Sequence, residues 1–208
     1  MSLAKGTKMI EVYVKESGKV WFGVANEAHQ IFATAFADTQ QRVIRYLLRM
    51  LPFDVPFEIT YEGTPLVDRI ISLIEDVYFG KDTKIEWFCL VDKQLKPYTR
   101  MVLQTVSHIP PGFITSYGAV AKVVGGGARA VGNIMAANPF PPLVPCHRVV
   151  KSNFKLGGYG VGANVKLEIL KREKKGYTEP KKISIGEKLL QIFPVEFVLN
   201  RNSRTFYS

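Results

Sequence analysis

Residues 115–139 read TSYGAVAKVVGGGARAVGNIMAANP, and this stretch decides the fold of the second half of the chain. Thr115 or Ser116 can accept a hydrogen bond from a helix-start N–H, which predicts a helix through Ala119, Val120 and Val123. Gly125-Gly126-Gly127 stops it, because glycine gives up more backbone freedom in a helix than any other residue. A further helix from Ala128 to Ala137 follows at once and is closed by Asn138-Pro139. Upstream, Pro97 can open a longer helix with Met101, Val102, Thr105 and Val106 on its apolar face, broken by Pro110-Pro111-Gly112. Two short helices joined by a glycine turn, with a longer helix behind them, is the helix-turn-helix plan.

The last of these helices is smooth. Ala128, Ala130, Gly132, Ala136 and Ala137 carry little side chain, and Arg129 is its only charge. A reader of major-groove base edges carries Asn, Gln or several Arg. A flat face suits close approach to backbone and sugar in a minor groove or, in the alternative reading, close packing on another helix. Charge favours the first. The chain has 28 Lys+Arg and 18 Asp+Glu, a formal net of +10. Residues 1–92 hold 10 basic and 13 acidic side chains, net −3, whereas residues 93–208 hold 18 and 5, net +13. Residues 94–167 contain eight Lys/Arg and no Asp or Glu, so nothing in that span opposes a field that attracts polyanions. A nucleic-acid-binding domain is the specific reading; general cationic stickiness is the bland one.

The first 92 residues form a different unit. Ile10 to Val14 alternates apolar and polar side chains, and Lys19 to Ala25 and Ile31 to Ala37 are further strand-like runs. Gly18 and Asn26-Glu27 supply the turns of an antiparallel meander. Thr39 caps a predicted helix through Val43, Ile44, Leu47 and Leu48, and a second runs from Pro65 to Tyr78 until Gly80. Nothing in this unit has catalytic spacing, and Cys89 reads as a buried thiol in an apolar strand. No apolar run reaches the ~18 residues of a membrane span, no secretory signal opens the chain, and two cysteines do not make a disulfide framework. An intracellular, reducing setting is expected.

Between the two units' chemistry the contrast is sharp. Four prolines, Pro139, Pro141, Pro142 and Pro145, stiffen the approach to Cys146-His147. A rigid loop presenting one thiol is what a nucleophile needs. In an extended chain, adjacent Cys146 and His147 point to opposite faces, which argues for activation through a bridging water over a direct ion pair. His29, His108 and Cys89 are too scattered for metal-ligand spacing, so no metal and no cofactor is expected.

Pro145-Cys146-His147-Arg148-Val149 with Asn138-Pro139, Ser116-Tyr117, Ala128-Arg129-Ala130-Val131-Gly132, Gly157-Gly158-Tyr159 and the Lys166 to Glu173 run resembles the O6-alkylguanine-DNA alkyltransferases over about residues 97–176. The resemblance implies an α+β protein: an N-terminal RNase H-like unit (1–92) with a small antiparallel sheet, and a helical DNA-binding and alkyl-acceptor unit (93–176) with a helix-turn-helix or winged-helix-like motif. It implies a monomer without membrane attachment, in the cytoplasm and nucleoid or the nucleus, that binds duplex DNA through the minor groove. There it would rotate O6-alkylguanine out and take the alkyl group irreversibly onto Cys146. Glu173 would orient His147, Tyr117 would donate to the leaving base, and Asn138 would brace the turn. Tyr159, Gly160 and Val161 would form the base pocket, and Arg129 would fill the gap in the stack. Thr99, Tyr117, Ala128, Ala130, Gly132 and Ser152 would meet DNA.

The chain departs from this pattern in three places. Gly160 and Val161 stand where many relatives have serine and glycine, which removes a hydroxyl contact and adds bulk near the base pocket, and so counts against large O6 substituents. The N-terminal half lacks the zinc ligands of some relatives. Residues 177–208 continue past the usual end, and Lys181-Lys182, Ile183, Leu189-Leu190, Ile192-Phe193 and Val195-Glu196-Phe197 predict a helix and a strand-like run there. Two other readings of the residues stay open: a winged-helix regulator that senses alkylation or oxidant at Cys146, and a cysteine hydrolase.

Overall fold

The computed structural model describes residues 9–83 and 95–203; Cys89 and the expected unit boundary at 92 lie outside the described residues. The chain is α+β. Strands β1 (Ile10–Ser17), β2 (Val20–Glu27) and β3 (Gln30–Ala37) form the antiparallel meander. A short β4 (Phe57–Thr60), which the sequence reading missed, adds parallel to β1 and gives the order β3-β2-β1-β4. Helix α1 (Gln40–Met50) starts at Thr39, whose side chain accepts from Arg42 N–H, and α2 (Pro65–Tyr78) starts at Thr64 with proline in its first turn.

The period of two in the strands assigns each face a cover. Val12, Val14, Ala25, Ala33 and Ala35 face Val43 and Leu47 of α1. Phe22, Val24 and Phe36 face Ile70 and Ile74 of α2 and also Val102, Val106 and Val144 of the second half. The hydrophobic core therefore runs through both halves of the chain. Gly23 fits because a Cβ there would stand 2.4 Å from Val43 Cγ1, so its absence lets α1 lie close on the sheet.

In the second half, α3 (Pro97–Ser107), α4 (Tyr117–Val124) and α5 (Ala128–Ala136) occupy the predicted positions. Ser116 is the residue that caps α4, by accepting from Ala119 N–H, while Thr115 belongs to a short strand β5 (Phe113–Ser116). The turn between α4 and α5 requires its glycines. Gly125 and Gly126 have φ of 87° and 81°, and Tyr98 of α3 donates from its hydroxyl to Gly125 O at 2.8 Å.

The tail holds the expected helix and strand, with a second strand besides. Lys181–Ile185 (β7) and Lys188–Pro194 (β8) form a hairpin, and the helix comes after it, as α7 (Glu196–Ser203). Paired apolar residues such as Leu189-Leu190 and Ile192-Phe193 serve either period, and the partner decides: β8 pairs antiparallel with β5, which pairs parallel with β6 (Val149–Val150). The sheet order is β6-β5-β8-β7. Val195 and Val198 then close a core with Ile114, Val150 and Leu170, the last from α6 (Ala163–Arg172). No described helix is long and apolar enough to cross a membrane.

Candidate active site

The loop from Asn138 to Val149 is held from within and from outside. Inside it, the Asn138 side chain accepts from Phe140 N–H at 3.0 Å and donates from Nδ2 to Val144 O at 2.9 Å and to Cys146 Sγ at 3.2 Å. From outside, Thr34 of β3 donates its backbone N–H to Pro139 O at 2.9 Å and its hydroxyl to Pro141 O at 2.8 Å. The N-terminal half has no catalytic spacing, yet it fixes the proline segment in place. No local signal marks Thr34, which sits in an ordinary alternating strand more than a hundred positions away.

Cys146–Arg148 is one turn of 3-10 helix, not extended chain, which corrects the conformation from which the sequence reading argued. There is no hydrogen bond between Cys146 and His147 among those the structure shows. His147 reaches Glu173 instead, with Nε2 to Oε1 at 2.9 Å, and both side chains are fully buried. Arg148, which the sequence reading gave no role, clamps the same carboxylate through Nη2 at 2.7 Å and Nε at 3.0 and 3.1 Å, and caps Ile109 O through Nη1 at 2.6 Å. Glu168 lies at the surface with Lys171, so Glu173, at the end of α6, is the carboxylate that meets His147.

Electrostatics assigns protonation states. Burial alone would push the Glu173 carboxyl up, but Arg148 and then His147 overcome it and hold its pKa down at about 2. Burial pushes His147 down despite Glu173, so at neutral pH the imidazole is neutral. With a carboxylate facing Nε2, the ring proton sits on Nε2 and the lone pair on Nδ1. Nδ1 is buried and has no hydrogen-bond partner.

Burial also pushes the Cys146 thiol up, opposed first by the Asn138 amide and next by Lys166. Lys166 is a second residue the sequence reading did not assign. It is fully buried, donates to Val149 O at 2.6 Å, stands 5.9 Å from the ring centroids of both Tyr117 and Tyr159, and is brought down to about 8 by burial. Its signal was positional, since it shares the buried face of α6 with Ile169 and Leu170.

Cys146 is 4% exposed and borders a cavity of about 60 Å³, with Asn138, Pro141, Met135, Tyr159, Gly160 and Val161 around it. Tyr117, at the first position of α4, packs beside Gly157 and Gly132; burial raises its pKa first and the sulfur adds to this. Tyr159 is held well above the ordinary phenol value, chiefly by burial. Both stay protonated donors at neutral pH.

The residues expected to meet DNA are spread outward from this point. Arg129, Ala128 and Ala130 are exposed on the first turn of α5 and Gly132 is half-buried, while Val131 and Met135 face inward. Ser152 is exposed in the turn after β6, and Thr99 is half-buried on α3; neither borders the cavity. Among the described residues, no three His, Cys, Asp or Glu side chains cluster as a metal ion would need.

Comparison with known proteins adds to this geometry. Residues 97–175 match the family model described as 6-O-methylguanine DNA methyltransferase, DNA binding domain. The chain is 42% identical over 115 residues to the methylated-DNA–protein-cysteine methyltransferase of Methanocaldococcus vulcanius, covering 54% of this chain and 70% of that protein. It is 52% identical over 65 residues to the protein of the same name from Pyrobaculum aerophilum, covering 31% of this chain and 44% of that one. Several curated relatives are matched over less than two thirds of their length, with shares of 44%, 64% and 43%. The crystal structure of the O6-methylguanine-DNA methyltransferase from Pyrococcus kodakaraensis superimposes with a TM-score of 0.64 over 79% of this chain and 99% of that one, at 24% identity, and shows the shared fold.

Proposed function

The chain belongs to the methylated-DNA–protein-cysteine methyltransferase family, and on that footing we propose that it repairs duplex DNA by taking the alkyl group of O6-alkylguanine onto Cys146, once per molecule. The observation that carries this reading is the setting of Cys146. Its sulfur borders a cavity and accepts from the Asn138 amide, while the neighbouring imidazole is turned to a buried carboxylate.

Glu173 fixes the Nε2–H tautomer of His147, leaving the Nδ1 lone pair to take the thiol proton through one bridging water. The thiolate attacks the alkyl carbon in line; the S–C bond forms as the C–O6 bond breaks, and the base leaves with a proton. Tyr117, kept protonated by its half-buried site, is the donor to the departing guanine. Tyr159, Gly160 and Val161 hold the base. The acceptor is the protein and the donor is the lesion, so the chemistry calls for no cofactor.

In this reading α3 to α5 act as a helix-turn-helix of winged-helix-like type and the N-terminal unit is RNase H-like. The flat face of Ala128, Ala130 and Gly132 lies along the minor groove, and Arg129 replaces the extruded guanine in the stack, offsetting a few kcal/mol of lost stacking. Thr99, Tyr117 and Ser152 add backbone contacts. The protein works as a monomer, in whichever compartment holds the DNA. Mass spectrometry after incubation with an O6-methylguanine oligonucleotide tests the proposal: one methyl per protein, mapped to Cys146, is expected. Multiple turnovers, or label elsewhere, overturn it; a footprint confined to one operator sequence favours the regulator reading, and ester or amide turnover favours the hydrolase.

A further inference from the structure

A second space adjoins the thiol cavity. It is a cleft of about 610 Å³, and the two share four wall residues: Phe36, Tyr46, Gly160 and Val161. Across that wall the Tyr46 hydroxyl, on α1, donates to Gly160 O. Tyr46 is therefore a partition joining the N-terminal half to the loop that borders the sulfur. Gly160, on the shared wall, is exposed, and a Cβ there would meet nothing within 4 Å.

The cleft is cationic in its own right. Lys19, Arg42, Arg45 and Arg49 line it; Asp38 engages Arg42 at 2.7 and 2.9 Å, and no described acidic side chain pairs with the other three. Arg45 and Arg49 are one turn apart on α1, so both charges lie on one side of the helix. This cluster belongs to the half whose net charge is −3, so it is a local feature and no extension of the basic DNA-binding half. Three uncompensated cations around a concave space select for an anion.

We propose that this cleft receives the far end of O6 substituents larger than methyl, with preference for those ending in a carboxylate, and that Tyr46 releases Gly160 O to let them through. The inference rests on the alkyl-transfer reading and names a substrate class for it. Any substituent must place its first carbon at Cys146 Sγ, and the remainder must lead away from the purine. The shared wall at Gly160 and Val161 is where the sulfur's cavity meets a space large enough to hold it. The S–C bond forms and the C–O6 bond breaks as for methyl, and the distal carboxylate exchanges no electrons.

A backbone phosphate offers the same charge, so the test uses free bases, which carry none. Rates of Cys146 alkylation are measured by intact-protein mass for O6-benzylguanines bearing a para carboxymethyl or a para carbamoylmethyl group, which match in size and differ in charge. The carboxylate is expected to react about tenfold faster, the worth of one good charge-assisted contact. In Arg45→Gln/Arg49→Gln the ratio is expected to fall to near one. Tyr46→Phe is expected to speed both benzyl substrates relative to O6-methylguanine. A ratio near one in the unmutated protein overturns the inference, as does a ratio unchanged in the double variant. So does a double variant that keeps the ratio but loses affinity for undamaged duplex, which assigns the cations to phosphate. If the unmutated protein takes no alkyl group even from O6-methylguanine DNA, the alkyl-transfer reading itself fails, and the inference with it.

Discussion

The Asn138 side chain donates to Cys146 Sγ at 3.2 Å with the same Nδ2 that holds Val144 O at 2.9 Å. One amide thus sets the path of the loop and the charge state of the sulfur, because a donor aimed at Sγ favours the thiolate against the burial that disfavours it. Asn138→Asp keeps an acceptor for Phe140 N–H but puts a carboxylate where the donor stood. The transfer rate at pH 7 is expected to fall by about 100-fold, roughly the worth of two pKa units on the thiol. Its pH–rate profile should move upward. Stopped-flow alkylation from pH 6 to 10 checks both; an unshifted profile refutes the electrostatic part.

Glu173 makes stability depend on acid. Its folded pKa of about 2 lies below the ordinary 4.5, so its contribution is present above pH 4.5 and is lost as pH falls through 2. The shift corresponds to about 3 kcal/mol, an order-of-magnitude figure for a coupled buried group. His147, also depressed, acts in the same direction near and below its ordinary 6.5. Glu173→Gln is expected to cost about 3 kcal/mol at pH 7 by leaving the buried Arg148 without its counterion, a gap that narrows between pH 4.5 and 2. Urea melts across that range measure it, and a gap constant with pH contradicts the pairing.

Lys166 separates stability from reactivity. An ammonium with no exposure costs stability at every pH below its folded value of about 8, while its charge favours the Cys146 thiolate. Lys166→Met leaves Val149 O without its donor but removes the buried charge. Its unfolding free energy is expected to stay within about 2 kcal/mol of the unmutated protein. The alkylation rate is expected to fall by about tenfold, with the thiol titrating higher. A variant that melts far lower, or reacts as fast, refutes this division of labour.

The loop's stiffness and the helix ends were legible because they are local. Four prolines mark the segment before Cys146, Thr39 and Ser116 mark helix starts through bonds spanning three residues, and Gly125 marks a helix end by its positive φ. What escaped is long-range. A period of two says which face Thr34 and Phe36 occupy but not that the cysteine loop will cover it, and the Tyr46–Gly160 contact joins residues 114 positions apart. Strands β5 and β6, of four and two residues, are too short to show a period and exist through their partners. Lys166 sat on the apolar stripe of α6, but its residue type argued against burial until the two tyrosine rings and Val149 O supplied a site.

The tail supplies the last test. β8 lies between β5 and β7, and Thr115 donates from its hydroxyl to Gln191 O at 2.6 Å. Removing residues 177–208 therefore strips the ladder partner from β5 and uncovers Ile114, Val150 and Leu170, the far side of the strands that carry Ser116 and follow Arg148. Loss of solubility or a large drop in melting temperature is expected. The gentler Leu190→Ala, at a fully buried position, is expected to cost about 2–5 kcal/mol in denaturant melts and to leave alkylation of the folded fraction within about threefold. A truncated chain that melts and alkylates like the full one would show that the added strands stabilise nothing the active site needs.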